Sequence, residues 1–365
     1  MRHLYISNWK KNRVIAAIDQ NEPVAFYICR DDEEAVGSIY KGIVKTYKPN
    51  IHAYFIDIGE ETELYLHESD CLDASEMHVG DEIIVQTVKE SSRNKSRQAT
   101  MYVSLVGECL IYSPFMNYIA ISKKLSESDR EKWERLGNEW KQGQEGFIIR
   151  TAVLTSSKEK VKNELHELRK QMNKILESGK QSKAPARLFE GRNFIEQIAT
   201  RYHSYGFTSI FTDHPDVYKT FNGKLQQSLT LVETPPFQLE KEIQKAMKNI
   251  VWMQDGSYLL IEENESLTVV DVNSGHSSLT PFVINKHAAI EAMRQLRLRN
   301  ISGMVVIDFL RMNKDERKYI KKIIEDLAKQ DVHTISIFGY SRMGLFELTR
   351  KKIGQALKDA IDMGG

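Results

Sequence analysis

Two apolar segments that each end in an aspartate constrain the fold of this chain more than any other feature. The first, Leu267–Gly275, reads LTVVDVNSG, and the second, Gly303–Phe309, reads GMVVIDF. Each has the length of one buried strand, and a helical pattern lies between them. Strands joined by a crossover helix lie parallel in one sheet, and their carboxyl ends meet at the same edge. The sequence therefore predicts that Asp271 and Asp308 lie together where open α/β sheets build their sites.

The predicted carboxylate pair suits a magnesium ion. Two close carboxylates repel each other, and a hard divalent cation is a common means of holding them together. Magnesium accepts one or two carboxylates with a phosphate oxygen, which supports attack by water on a phosphodiester. Asn273 follows Asp271 by two residues on the same strand face, where it is positioned to orient a ligand. In the alternative interpretation, each aspartate caps the helix that follows its strand.

The remaining hydrophobic patterns predict further structural units. Short strands at regular spacing between Gly37 and Leu110 are typical of a small all-β barrel of the OB class. The hairpin-like segment before residue 30 is too short for a domain and predicts a sheet completed by a later part of the chain. After Ala184, strands and helices alternate as in a layered α/β domain, with a final helix predicted to begin near Leu348.

A charged amphipathic helix is predicted within residues 157–183. Its apolar residues recur at spacings of four and three, and they are Val161, Leu165, Leu168, Met172 and Ile175. A helix packed on its own chain explains this stripe, and so does a helix that forms a dimer. Two heptads are too few to predict a long coiled coil.

Composition narrows the functional classes. Lys and Arg number 51 and Asp and Glu number 50, so binding of a nucleic acid must depend on local patches. Cys29, Cys71 and Cys109 form no CxxC pair, which argues against a zinc ribbon or a disulfide framework and indicates a reducing compartment. No signal-peptide pattern or long apolar run occurs, so a cytoplasmic protein without a membrane span is expected.

An ordered series of motifs resembles the ribonuclease E/G family from the N-terminal hairpin to about Lys352. The motifs are GSIYKG, AYFIDIG, Asn94-Lys95, ISKK, GFIIRTA, DVNSG, QLRLRNISGMVVIDF and GLFELTRKK. The resemblance implies an α/β plus all-β fold. An RNase H-like subdomain (1–36 and 184–250) would carry an inserted S1-type OB-fold RNA-binding domain (37–110) and a 5′-sensor region with the charged helix (111–183). A DNase I-like α/β catalytic subdomain (251–365) would follow.

The same resemblance implies roles for the residues at the sheet edge that carries Asp271 and Asp308, which we call the acidic edge. Asp271 and Asp308 would be the magnesium ligands and, with Asn273, the catalytic residues. The basic segment 350–352 would add contacts near this site, although a solvated helix face explains it equally well.

The resemblance also implies RNA-binding residues. Phe55 and Tyr65 would stack on bases of single-stranded RNA, and Lys95 would contact the RNA backbone. Arg150 and Thr151 would hold an RNA 5′-monophosphate, which an arginine fork and a hydroxyl suit physically. The alternative interpretations are packing in the barrel core or in a surface patch for the two aromatic rings, and an exposed surface pair for Arg150 and Thr151.

The function implied by the resemblance is a magnesium-dependent endoribonuclease. It would hydrolyse single-stranded RNA to 5′-phosphate and 3′-hydroxyl ends, stimulated by a 5′-monophosphate, in the processing of ribosomal RNA precursors and the decay of messenger RNA. A second hypothesis is an RNA-binding or regulatory relative with weakened catalysis. An unrelated α/β phosphotransfer enzyme is a third, but no P-loop or GxGxxG segment supports it.

Four features depart from the family pattern. His276, Arg311 and Ala120 stand where the family commonly has an arginine, an acid and a glycine. The paired cysteines of a zinc link do not follow the catalytic motifs, so a zinc-tied dimer is not expected, while a homodimer of another kind remains open. A naturally short relative and a truncated chain are both compatible with this pattern.

Overall fold

The computed structural model describes residues 2–29, 36–89, 97–123, 125–221, 228–234 and 238–362. The chain divides into two units. The first comprises Met1–Asp32 and Ile195–Gly365, and the second is Glu33–Phe194. Mixed α/β structure and an all-β barrel are both present, as predicted. Among the described residues, no helix is both long and apolar enough to cross a membrane.

The N-terminal segment forms three antiparallel strands, β1 (His3–Trp9), β2 (Asn12–Asp19) and β3 (Glu22–Cys29). The turn between β2 and β3 has positive φ at Gln20 and Asn21, as a tight hairpin requires. Two strands from residues 209–231 extend this sheet, so the prediction that a later part of the chain completes it is confirmed.

An all-β barrel opens the second unit. Its strands are β4 (Ile39–Lys48), β5 (Ala53–Asp57), β6 (Leu64–His67), β7 (Glu82–Lys89) and β8 (Gln98–Thr100). They pair in the order β4-β5-β6-β8-β7, and β7 pairs again with β4, so the ring is closed. The predicted OB-like barrel is thereby confirmed. Gly42 is required in β4 because a Cβ atom there would lie 2.6 Å from the Ile56 side chain.

A small sheet and two helices follow the barrel. The elements are β9 (Leu105–Val106), β10 (Leu110–Ser113), β11 (Ile119–Ile121), α1 (Glu127–Trp140), β12 (Gly146–Ile149), α2 (Lys158–Gln181) and β13 (Ala186–Phe189). The whole apolar stripe predicted for the charged helix lies on α2 and is buried in the core of this unit. Packing on its own chain therefore explains the stripe.

The strand β13 pairs antiparallel with β4 of the barrel. Residues 186–189 therefore belong to the second unit, and the two units divide between Phe194 and Ile195. The subdomain boundary at residue 184, like the RNase H, S1 and DNase I subdomain types, stays a prediction.

The first sheet is completed after the second unit. The elements here are α3 (Phe194–His203), β14 (Ser209–Thr212), α4 (Pro215–Phe221), β15 (Ser228–Leu231) and α5 (Leu239–Ala246). The strand order is β15-β14-β1-β2-β3, with β14 parallel to both β1 and β15.

A second six-stranded sheet occupies the C-terminal part of the first unit; we call it the acidic sheet, because it carries Asp271 and Asp308. Its elements are β16 (Ile250–Trp252), β17 (Tyr258–Glu263), β18 (Leu267–Asn273), α6 (Pro281–Leu298), β19 (Gly303–Asp308), α7 (Lys314–Lys329), β20 (Ile335–Tyr340), β21 (Phe346–Arg350) and α8 (Leu357–Asp362). The strand order is β16-β17-β18-β19-β21-β20. Alternate residues of the central strands, such as Val270 and Ile307, share a core with α6 and α7. The opposite face of the sheet is partly open to solvent, and we call it the open face.

The prediction of a final helix near Leu348 is wrong. That segment is strand β21, inserted antiparallel between β19 and β20, and the last helix begins at Leu357. Phe346, Leu348 and Arg350 are buried on one side of β21, while Glu347 and Thr349 lie on the other. Because its guanidinium is buried, Arg350 is not a basic surface contact either.

Two residues of the QLRLRN motif, Arg299 and Asn300, stabilise the fold through buried hydrogen bonds. The Nε atom of Arg299 donates to Gln295, and its Nη2 atom donates to the Lys248 carbonyl oxygen 2.8 Å away. Asn300, with φ of 51°, donates through its side chain to the carbonyl oxygens of Ile353 and Gln355. Arg299 thus joins the end of α6 to the segment before β16, and Asn300 joins it to the segment before α8.

A buried histidine predicts how stability depends on pH. His333 lies 2.9 Å from the Tyr27 hydroxyl and 3.0 Å from the Lys351 carbonyl oxygen. Burial, reinforced by the Arg350 guanidinium, lowers the pKa of His333 from 6.5 to about 3. The folded protein therefore excludes a proton that the unfolded chain binds below pH 6.5. The unprotonated, buried His333 therefore stabilises the folded state fully above pH 6.5, and this stabilisation is lost as the pH falls towards 3.

We expect His333→Asn to make stability less dependent on pH. Urea unfolding at pH 7 and pH 5 measures the change, and the wild type should lose about 2 kcal/mol more than the variant between these values. The variant retains an amide that can donate to the Lys351 carbonyl oxygen. Equal losses in both proteins would show that His333 is not the group responsible.

Candidate active site

Asp271 and Asp308 stand side by side on the acidic sheet. Strands β18 and β19 are parallel neighbours, and the Cα atoms of Asp271 and Asp308 are register partners. Neighbouring strands are about 4.8 Å apart, and paired residues point to the same face. Asp271 is half-buried and Asp308 is exposed. The structure thus brings together the two carboxylates that the sequence pattern singled out.

Asn273 is held against the first aspartate. Its Nδ2 atom donates a hydrogen bond to Oδ2 of Asp271 over 2.9 Å. The contact follows from strand alternation, because residues two apart share a face. The hydrogen bond fixes one oxygen of Asp271 and so sets the direction of the other.

Helix capping does not explain the two aspartates. The N-cap of α6 is Thr280, and Asn313 caps α7 in a capping box with Glu316. In the described part of the chain, no Lys or Arg forms an ion pair with Asp271 or Asp308. The carboxylates are thus placed on an open surface without a capping role.

Buried contacts from α6 hold the segment after Asp308. Asn285 is fully buried; its Nδ2 atom donates to the Leu310 carbonyl oxygen over 2.9 Å, and its Oδ1 atom accepts from the Leu310 N–H over 3.0 Å. This pair of bonds fixes the backbone two residues beyond Asp308. No sequence pattern indicates this contact, because Asn285 and Leu310 meet only through the tertiary fold.

The loop after Asn273 is held by the turn between β16 and β17. Gly275 has φ of 52°, and a Cβ atom there would lie 2.3 Å from the Gly256 carbonyl oxygen. In the same turn, Asp255 accepts hydrogen bonds from Ser257 and lies 2.6 Å from Nδ1 of His287 on α6. Burial raises the pKa of Asp255, but the bonds from Ser257 and His287 outweigh it and hold that pKa below its usual value.

A third carboxylate, which the sequence analysis missed, lies on the open face. Glu347 on β21 is the register partner of Val306, which precedes Asp308 by two residues on β19. Glu347 is therefore a diagonal neighbour of Asp308, about 7 Å away. Its position follows from the alternation of FELTR, once that segment is recognised as a strand rather than a helix.

The donor set suits magnesium better than a softer metal. The described residues contain no cluster of three or more His, Cys, Asp or Glu side chains arranged to hold a metal ion. Zinc sites are usually built from such clusters, whereas magnesium keeps several waters and needs only one or two carboxylates. Asp271 and Asp308 meet that smaller requirement.

Phe55 and Tyr65 form a cross-strand pair on the barrel. They are register partners on β5 and β6, and their rings meet edge to face with centroids 6.0 Å apart. Both are half-buried and lie outside the barrel core. The Nζ atom of Lys48, which the sequence analysis missed, lies 4.7 Å from the Phe55 ring centroid. Lys95 lies outside the described residues.

Arg150 and Thr151 adjoin at the end of β12. The Nη1 atom of Arg150 donates to the carbonyl oxygens of Gly107 and Glu108, over 2.6 and 3.1 Å. Thr151 begins a short 3-10 helix, Thr151–Thr155. The Glu164 carboxylate on α2 accepts from the backbone N–H groups of Cys109 and Leu110, which holds the loop that carries those carbonyls.

The sequence matches the Ribonuclease E/G family over residues 104–353. This chain belongs to the ribonuclease E/G family. Ribonuclease G of Salmonella typhimurium (strain SL1344) is 29% identical over 364 residues, which cover 89% of this chain and 74% of that protein. Ribonuclease E of Synechocystis sp. is 28% identical over 380 residues, covering 94% of this chain and 56% of that protein. Family membership identifies the chain as an endoribonuclease.

The departures from the ribonuclease E/G pattern have different surroundings. Arg311 and His276 are both exposed, and each lies in the loop that follows one of the aspartate strands. Ala120 is half-buried in β11, where it is the register partner of Ile148. The first two substitutions thus change the charge near the acidic edge, while Ala120 adds only a methyl group to a small sheet.

Proposed function

We propose that this chain is a magnesium-dependent endoribonuclease that hydrolyses single-stranded RNA to 5′-phosphate and 3′-hydroxyl ends. The observation that carries the proposal is the register pairing of Asp271 with Asp308, with Asn273 bound to the first of them. The substrates we propose are ribosomal RNA precursors and messenger RNA in the cytoplasm.

The residues of the acidic edge have distinct parts in the proposed reaction. Magnesium, when bound, would neutralise charge on the phosphodiester and activate water for attack. Asp271 and Asp308 would hold the ion, and the Asn273 amide would keep Asp271 in one orientation. Because Asp308 is exposed, a phosphodiester can approach it from solvent.

A cleavage assay tests this function. The substrate is a 5′-monophosphorylated single-stranded RNA, incubated with magnesium or with EDTA. We expect cleavage only with magnesium and products with 5′-phosphate and 3′-hydroxyl ends. Cleavage in EDTA, or 2′,3′-cyclic phosphate products, would refute the proposal.

The competing hypothesis is a relative that binds RNA without turnover. Two residues near the acidic edge favour this hypothesis. Arg311 stands in place of an acid and adds positive charge, and His276 stands in place of an arginine. Tight binding of the same RNA with no cleavage at any magnesium concentration would support this second function.

The barrel would bind RNA through two half-buried aromatic rings. Phe55 and Tyr65 offer ring surface to unstacked bases, and stacking of this kind tolerates any base. The Lys48 ammonium beside Phe55 would attract the RNA backbone. In the same proposal, Lys95 contacts the RNA backbone.

Arg150 and Thr151 would bind the 5′-monophosphate. Two carbonyl oxygens orient the Arg150 guanidinium, and Thr151 is the next residue along the chain. A guanidinium with a hydroxyl suits a terminal phosphate. Glu164 would contribute indirectly, because it holds the loop that supplies the carbonyls.

We expect Arg150→Ala to remove the preference for 5′-monophosphorylated over 5′-hydroxyl RNA. A charge-assisted hydrogen bond is worth about 1.5–3 kcal/mol, so the rate ratio should fall by about 10- to 150-fold. Cleavage of the 5′-hydroxyl substrate should not change. Arg135→Ala, on the exposed side of α1, is the matched control. An unchanged ratio in Arg150→Ala would show that another group binds the 5′ end.

A further inference from the structure

We propose that Trp252 forms a stacking subsite for an unpaired RNA base beside the Asp271–Asp308 pair. The inference rests on the proposed function, because it takes RNA as the molecule that lies on the acidic sheet. It adds a residue that neither the motifs nor the family resemblance singled out.

Trp252 differs from the other tryptophans in its exposure. The chain has 4 tryptophans. Trp9, Trp133 and Trp140 are 7%, 2% and 5% exposed, whereas Trp252 is 59% exposed. A single exposed ring does not by itself indicate a binding site, so the position of Trp252 on the sheet decides the inference.

Strand register places Trp252 in line with the candidate active site. Trp252 is the register partner of Tyr258, and Tyr258 is the register partner of Asn273. Register partners share a face of the sheet, so the three side chains form a row across the open face. The row lies next to the one that contains Asp271 and Asp308. Two strand spacings, about 10 Å, separate Trp252 from Asn273. That distance equals about three stacked-base rises, so a base about three nucleotides along a stacked strand from the one near Asn273 can reach Trp252.

Tyr258 supports the tryptophan from one side. The two ring centroids lie 4.8 Å apart at an interplanar angle of 50°, and Tyr258 is half-buried. This contact limits the orientations of the indole, so that less entropy is lost when a base stacks on it. Base stacking on such a ring is sequence-tolerant, since every base has a flat face.

The charges of the open face favour RNA over a protein partner. Asp271, Asp308 and Glu347 lie among its exposed or half-buried apolar side chains. A protein surface that covered this face would have to desolvate the carboxylates, which is costly unless each is paired. An RNA strand meets both kinds of group, because a divalent cation can join phosphate to carboxylate while bases stack on the ring.

RNA binding followed by tryptophan fluorescence tests the subsite. The experiment uses the full chain, a 5′-hydroxyl single-stranded oligoribonucleotide, and calcium in place of magnesium, so that a divalent cation is present while magnesium-dependent cleavage does not interfere. RNA should change the fluorescence of the wild type, because only Trp252 is exposed. In Trp252→Phe the fluorescence response should vanish while affinity stays within about threefold, since phenylalanine still stacks. In Trp252→Ala affinity, measured by anisotropy of labelled RNA, should fall by about 5- to 150-fold.

Phe338→Ala is the matched control. Phe338 is 66% exposed on β20, the strand at the other edge of the same sheet. Its removal should change affinity by less than twofold. Equal losses in Phe338→Ala and Trp252→Ala would overturn the subsite, as would RNA binding that leaves the fluorescence of the wild type unchanged. A shift in oligomeric state caused by Trp252→Ala would also overturn it, because a second copy would then cover this face.

The two proposals fail in different ways. If the wild type cleaves RNA with magnesium but Trp252→Ala binds RNA as the wild type does, the subsite alone is wrong. If the fluorescence and affinity results are as expected but no cleavage occurs with magnesium, the catalytic proposal alone is wrong.

Discussion

Replacement of either Asp271 or Asp308 by asparagine is expected to lower the rate of RNA cleavage by about 10³-fold or more. Asparagine has nearly the same shape but no charge, so the edge would lose half of its attraction for a divalent cation. Loss of several kcal/mol of transition-state stabilisation corresponds to a rate decrease of this size. Asp308 ends β19, Asp271 lies two residues before the end of β18, and both side chains are on the open face, so the fold should tolerate the change.

Single-turnover cleavage at saturating magnesium measures the effect. RNA affinity in EDTA should remain within about threefold of the wild type, which separates loss of chemistry from loss of binding. Glu262→Gln is the matched control, because Glu262 is an exposed carboxylate on β17 of the same sheet. Rates of Asp271→Asn and Asp308→Asn within tenfold of the wild type would mean that the catalytic centre lies elsewhere.

The acidic edge could be predicted from the sequence because its determinants are local. A strand, a crossover helix and a second strand follow one another, and this order alone makes the strands parallel neighbours. The observed register adds that the Cα atoms of Asp271 and Asp308 are direct partners. Glu347 escaped prediction because its segment was predicted to be helical, whereas it forms strand β21 between β19 and β20.

The start of helix α6 is marked in the sequence by a proline. The helix was predicted between the two aspartate strands, and it begins at Pro281, with Thr280 as the N-cap. Proline suits the first turn of a helix, where its missing N–H has no partner to lose. The clamp of Asn285 on Leu310, in contrast, left no local signal, because its partner lies beyond the next strand.

The 5′-end pocket was predicted only through the family resemblance. No periodicity points to Arg150 or Thr151, and the carbonyl groups that orient Arg150 come from residues 107 and 108. From the sequence alone, Glu164 cannot be distinguished from the other charged residues on the solvent-exposed side of the helix. Its contacts with the N–H groups of Cys109 and Leu110 depend on how α2 packs against β10.

The prediction for Arg350 concerns stability rather than RNA binding. Its Nε and Nη2 atoms donate to the two carboxylate oxygens of Asp331, each over 3.1 Å, and both side chains are 1% exposed. Nη1 donates to the Ile301 carbonyl oxygen over 2.9 Å. We expect Arg350→Met to lower the free energy of unfolding by about 3–5 kcal/mol, because Asp331 would remain buried without its partner.

Urea unfolding of Arg350→Met and of Lys351→Met separates this role from a contact with RNA. Lys351 is the exposed neighbour, so its replacement should cost less than about 0.5 kcal/mol. A double variant, Arg350→Met with Asp331→Asn, should recover part of the loss, because no buried charge would remain unpaired. While it is still folded, Arg350→Met should bind RNA with wild-type affinity. A small loss of stability together with weaker RNA binding would instead mean that this guanidinium reaches the substrate, and that strand β21 must open to expose it.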